Sequence, residues 1–154
     1  MGRWVLAAAI AIGLAVTPAP DLVLYNATAS MPVGFYWRST DAPARHAIVT
    51  VRAQRVASAY ARQRGFADAH DRFIKRVAGV DGDIVCAHGA NVTINGAQLP
   101  SRRRLDREGR LMPRWQGCRR LDGEVFVLGD SADSFDSRYF GPVAVGDIDA
   151  VWTR

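Results

Sequence analysis

Residues 71–83 read DRFIKRVAGVDGD, and Lys75 among them is the only lysine in a chain of 154 residues that holds nineteen arginines. Lysine can do what arginine cannot, which is to lose its proton inside a protein and serve as a neutral amine base. Strand-period alternation sets Phe73, Lys75 and Val77 on one face and Arg72, Ile74 and Arg76 on the other. An ammonium between apolar neighbours is desolvated, and burial of that kind lowers a lysine pKa by up to about 3–5 units. Lys75 therefore fits a general base. The plainer reading is a surface lysine on an edge strand.

A base needs a nucleophile. Residues 26–37, NATASMPVGFYW, offer Ser30 between Ala29 and the Met31-Pro32 step, where proline stiffens the segment and biases Met31 towards an extended backbone. Taken alone, Ser30 is equally a turn or cap serine. A third stretch, GDSADSFDSRYFGP at 129–142, is polar and acidic. Its Asp130, Asp133 and Asp136 lack the alternating ligands and terminal glutamate of an EF-hand calcium loop. Asp136 and Arg138 can instead form a structural ion pair that holds nearby hydroxyls in place.

The elements that would position these groups are mostly strands. IVTVRA (48–53), RFIKRVAG (72–79), GDIVCA (82–87), EVFVL (124–128) and IDAVWT (148–153) have strand content. NVTINGAQLP (91–100) reads as a hairpin turning at Asn95-Gly96. QRVASAYARQRGF (54–66) reads as a short helix, with Val56 and Tyr60 at i, i+4. Residues 101–120 carry eight arginines with little periodicity and are expected to form an exposed insertion, solvated or facing anionic lipid headgroups. Short strands, turn signals and a single helix predict one mainly β domain over 21–154, a coiled sheet or small barrel.

The N-terminus starts MGRWVLAAAIAIGLAV, with Arg3 ahead of an uncharged run from Trp4 to Val16. That run is short for a spanning helix, which needs about 20 residues. It fits either a signal peptide or, with Thr17-Pro18 a poor cleavage site, a retained anchor over residues 1–20. Either choice places the N-terminus in the cytoplasm and exports the chain beyond residue 20. In that compartment Cys86 and Cys118 could pair; in the cytoplasm they would be two reduced thiols. A metal site of Cys86, His88 and Cys118 lacks the paired spacing zinc sites use. The net charge of +5 permits an anionic partner without requiring one, and no element suited to reading nucleic acid is present.

The three stretches in this order resemble the signature boxes of the type I signal peptidase family, serine proteases with a Ser/Lys dyad. The tightest resemblance is to its conjugative-transfer peptidase TraF branch. There the serine box reads like N-x-T-x-S-M-P-x-G-x-Y, met by Asn26, Thr28, Ser30, Met31, Pro32, Gly34 and Tyr36. The resemblance spans residues 26–142 and implies the family's mainly β catalytic core. It implies Ser30 as nucleophile and Lys75 as base, with Thr28 joining the Ser30 N–H as oxyanion hole. Asp136 matches an active-site acid, with Ser134 and Arg138 as support and Asp130 a weaker match. No metal or cofactor is implied.

The implied setting is the bacterial inner membrane, with the catalytic domain in the periplasm, a lipid surface beside it and an exported precursor as substrate. For the TraF branch that precursor is a prepilin, processed and in some cases circularised. Three departures stand out: His46-Ala47 replaces a usual Gly-Asp, Asp81 replaces a proline, and the third box is one residue short. They weigh against general leader-peptide cleavage more than against the dyad. The remaining alternative, a non-catalytic component of a secretion assembly, conflicts with an intact Ser30 and Lys75.

Overall fold

A computed structural model describes residues 20–66, 68 and 70–154; the expected anchor, but for its last residue, lies outside them. Among the described residues no helix is long and apolar enough to cross a membrane. The strand-like runs become strands: β3 Ile48–Arg52, β4 Arg72–Gly79, β5 Ile84–His88, β9 Glu124–Leu128 and β11 Ile148–Thr153. The expected hairpin is β6 Asn91–Ile94 with β7 Ala97–Gln98, and both turn residues, Asn95 and Gly96, hold positive φ. Asparagine and glycine tolerate that conformation at least cost, which is why the pair marks a tight turn.

Four further strands complete the set: β1 Val23–Asn26, β2 Gly34–Ser39, β8 Gly117–Arg120 and β10 Val143–Ala144. All pair antiparallel in two sheets, ordered β1-β2-β11-β3-β4-β9-β10 and β7-β6-β5-β8. The larger sheet ends freely at β1 and β10, so it is an open sheet rather than a closed barrel. The smaller sheet is an excursion between two neighbours of the larger one, β4 and β9.

β4 is buried on both faces, which is what lets it carry a dry lysine. Phe73 and Val77 enter a core with Val49, Val51, Val125 and Val127, against the helix α1 Ala53–Gln63. Ile74 points the other way, into a cluster with Met31, Tyr36, Ala150 and Trp152. Alternation in β9 joins the layers, because Val125 and Val127 face the first core while Phe126 packs on Val85, Val92 and Leu121 beneath the smaller sheet.

Two expectations need correction. The helix is not single: residues Ser137–Phe140 form a one-turn helix, α2, capped when the Arg138 N–H donates to the Asp136 carboxylate. Residues 101–120 form the expected insertion but are not exposed throughout. Most of their arginines are exposed, but Arg102 is 2% exposed and donates to the carbonyls of Gly89, Arg138 and Trp115 at 2.8–2.9 Å. Asp106 ties Arg110 to Arg64 of the segment after α1, and β8 docks on β5. A guanidinium has five donors, so buried carbonyls can hold it where a sequence reading sees only charge. The β5–β8 register also sets Cys86 opposite Cys118, and the two form a disulfide. With both sulfurs in that bond, neither is a thiolate ligand, although His88 Nε2 lies 3.7 Å from Cys118 Sγ.

Candidate active site

Ser30 sits in the turn between β1 and β2, and Lys75 in the middle of β4. The fold brings them together: Lys75 Nζ lies 3.4 Å from Ser30 Oγ and donates to the Ile74 carbonyl at 2.8 Å. Lys75 is 3% exposed, with Nζ 5.8 Å from the centre of the Phe73 ring. Burial dominates its ionisation and pulls the pKa down to about 8; nearby Asp136 opposes the fall and Arg138 adds to it. A desolvated ammonium with no carboxylate in contact has lost water and gained little in return.

Thr28 also reaches the site, its Oγ1 lying 3.1 Å from Ser30 Oγ. Asn26, at the end of β1, accepts the Thr28 hydroxyl at 2.8 Å. From the opposite side the Asp130 N–H donates to the Ser30 carbonyl at 2.7 Å. Ser30 is therefore pinned by backbone on one side and by a hydroxyl on the other.

The third box does not present its charges to Ser30. Asp136 is fully buried, and both its oxygens accept from Arg138, at 2.9 Å from Nε and 2.9 Å from Nη2. Its Oδ2 also accepts the Gly129 N–H at 3.0 Å. Arg138 spends its other donors on the carbonyls of Pro100, Ala132 and Ser134. The pair thus acts as a frame that shapes the 129–138 loop. Ser134 lines the cleft, is 3% exposed, and its Oγ has no hydrogen-bond partner among the described residues. A side chain at Gly129 would collide with Ser134 and come within 2.8 Å of the Ser30 carbonyl oxygen. Asp130 stays at the surface, bound by Arg76 at 2.8 and 2.9 Å, which lowers its pKa.

A cleft of about 380 Å³ opens in front of Ser30 and Lys75. Leu24 and Ile74 line one part of it, and Tyr60, Phe66, Phe73 and Phe135 make the other end aromatic. Tyr60 and Phe135 stack with ring centres 3.4 Å apart, and Arg64 covers the other face of Tyr60 at 3.7 Å. Such a groove suits an extended polypeptide with apolar side chains. Asn26 and Gly129 are the residues whose parts in the site were not foreseen. An asparagine two residues before a threonine is an Asx-turn signal that could have flagged the first.

The family model described as signal peptidase, peptidase S26, matches residues 2–152. The chain belongs to that family. Among similar proteins, one plasmid transfer protein TraF of Escherichia coli is 36% identical over 130 residues, covering 77% of this chain and 73% of its own length. Another TraF of the same organism is 34% identical over 139 residues, covering 82% and 78% respectively. The crystal structure of a signal peptidase I from Enterococcus faecalis aligns with 75% of this chain and all of its own, at 25% identity and a TM-score of 0.40.

Proposed function

We propose that this protein is a membrane-associated serine endopeptidase with a Ser30/Lys75 dyad, and that it matures an exported precursor, a prepilin of conjugative transfer or type IV secretion. The observation that carries the reading is Lys75 itself, a lysine 3% exposed beside a serine hydroxyl with its pKa near 8. Neutral Lys75 takes the Ser30 proton as Oγ bonds to the scissile carbonyl carbon. The oxyanion so formed meets the Ser30 N–H and the Thr28 hydroxyl. Collapse breaks the C–N bond, and the leaving amine takes the proton held on Lys75. The acyl-enzyme then passes its acyl group to water, giving a cut chain, or to an amine of the substrate, giving a ring. The resting distance of 3.4 Å is longer than a working proton-transfer bond, and such contacts shorten when substrate fills the cleft.

The β1–β2 edge supports a lipid surface as neighbour. Leu22, Val23, Tyr25, Val33, Phe35 and Trp37 are each about half exposed or more. Val23 pairs with Trp37 and Tyr25 with Phe35 across the two strands, so four of these side chains share one face. A contiguous apolar face of this kind marks an interaction surface, and tryptophan and tyrosine favour the membrane–water boundary. It lies beside the cleft, which Leu24 and Tyr25 also line.

The test is to express Ser30→Ala and Lys75→Arg separately with a prepilin and follow processing by mass spectrometry. Both variants are expected to leave the precursor uncut. Full processing by Lys75→Arg would sink the dyad, because arginine cannot act as a neutral base. The product mass distinguishes a linear chain from a cyclic one by one water.

A further inference from the structure

Asn26 is 5% exposed, and its one side chain makes five contacts around the nucleophile. Nδ2 donates to the carbonyls of Thr28 at 2.9 Å, Met31 at 3.0 Å and Pro32 at 3.1 Å. Oδ1 accepts from the Thr28 N–H at 3.1 Å and from the Thr28 hydroxyl at 2.8 Å. Three carbonyls around one end and an N–H against the other leave the amide a single orientation. The side chain therefore grips the Ser30 turn on both sides.

That orientation settles the direction of every hydroxyl. Thr28 has one proton, and Asn26 Oδ1 takes it, so towards Ser30 at 3.1 Å Thr28 can only accept. Ser30 then donates to Thr28, while Lys75, as an ammonium, donates to Ser30. All donors point one way. We propose that Asn26 is a positioning residue of the reaction, terminating a one-way chain Lys75→Ser30→Thr28→Asn26 that parks the Thr28 proton until a substrate oxygen becomes negative. The proposal rests on the Ser30/Lys75 dyad proposed for this site. When Lys75 is neutral, the Ser30 proton turns to Nζ. As the oxyanion grows, the Thr28 hydroxyl leaves Oδ1 for it, and Oδ1 keeps the Thr28 N–H. The exchange is favourable only against a charged oxygen, so it stabilises the transition state and not the bound substrate.

A neutral amide suits this part better than a carboxylate. Aspartate would hold the Thr28 proton more tightly, would leave three carbonyls without their donor, and would stabilise the ammonium at the other end of the chain. The single lysine makes the effect measurable. Lysine labelled with ¹³C at Cε gives one signal from the full chain in detergent micelles, and its shift against pH reports Lys75 alone. Asn26→Asp is expected to raise the Lys75 midpoint by about one unit. Most of that rise is expected to vanish in Asn26→Asp/Thr28→Val, which cuts the chain but keeps the charge. A rise of equal size in both would overturn the proposal, because the effect would then act through space.

Should Asn26→Asp not fold, Thr28→Val and Thr28→Ser replace it. The valine is expected to lower the midpoint and the serine to restore the wild-type value; equal midpoints would overturn the proposal. Ser30→Ala separates this proposal from its foundation. If it leaves both the midpoint and precursor processing unchanged, the dyad itself fails. If it alters both while the Asn26 and Thr28 variants titrate like wild type, only the role of Asn26 fails.

Discussion

Lys75 in β4, at 3% exposure, and Arg138 in α2, at 1%, both lie almost wholly out of water, as Arg102 does at 2%. Arg138 is fully answered: a buried carboxylate takes two of its donors and three carbonyls share the rest. Lys75 is answered by one carbonyl and one hydroxyl at 3.4 Å. The same burial yields a rigid frame in one place and a frustrated, proton-losing amine in the other. What separates structure from chemistry here is the partners a charge is denied, more than its depth.

The comparison can be broken hardest at the frame. Asp136→Ala leaves Arg138 buried without its carboxylate, at a cost of about 3–5 kcal/mol, and releases the Gly129 N–H that Asp136 holds. Denaturant unfolding should show that loss, together with loss of precursor processing. Arg138→Lys should fail in the same direction, since one ammonium cannot replace a fork with five acceptor atoms.

Lys75→Met should do the reverse, abolishing processing while stabilising the fold by roughly 2–3 kcal/mol near neutral pH. That corresponds to a melting temperature about 5–10 °C higher. The sign is set by the pKa, which falls from 10.5 in the unfolded chain to about 8 in the folded one. Between those values the unfolded state binds the extra proton, so wild-type stability rises as pH increases from about 8 to 10.5, and that gain is lost as pH falls from 10.5 to about 8. The methionine variant should lack that slope. The same midpoint predicts that wild-type processing climbs to a plateau above about pH 8, where the amine is neutral.

The smallest effect is expected at an exposed cation. Arg119 reaches Glu124 with its side chain 52% exposed, and Arg119→Ala should change stability by only about 0–1 kcal/mol. A much larger loss there would blur the contrast between answered and unanswered charge.

Strands β3, β4, β9 and β11 were legible because each carries a run of β-branched or aromatic residues bounded by polar or turn residues. β2 was not. Its Phe35, Tyr36 and Trp37 are aromatic on both faces, so only packing reveals that Tyr36 is inside and its neighbours outside. The arginine block misled for a related reason. Arg102 is indistinguishable in sequence from Arg103, yet the carbonyls that hold it come from residues 13 and 36 positions away.

By itself the sequence determined which chemistry was available: a lone lysine in an arginine chain, a serine on a stiff turn, and an acidic loop in the order of a known family. Those are properties of residue type and spacing, and they persist in an unfolded chain. Tertiary structure decided that the lysine is dry, that Cys86 and Cys118 meet across β5 and β8, and that Asp136 faces Arg138 instead of the serine. It also decided that Asn26 takes the Thr28 proton. Burial, pairing and hydroxyl direction all depend on segments distant along the chain or on one side chain's orientation, and only the folded molecule sets either.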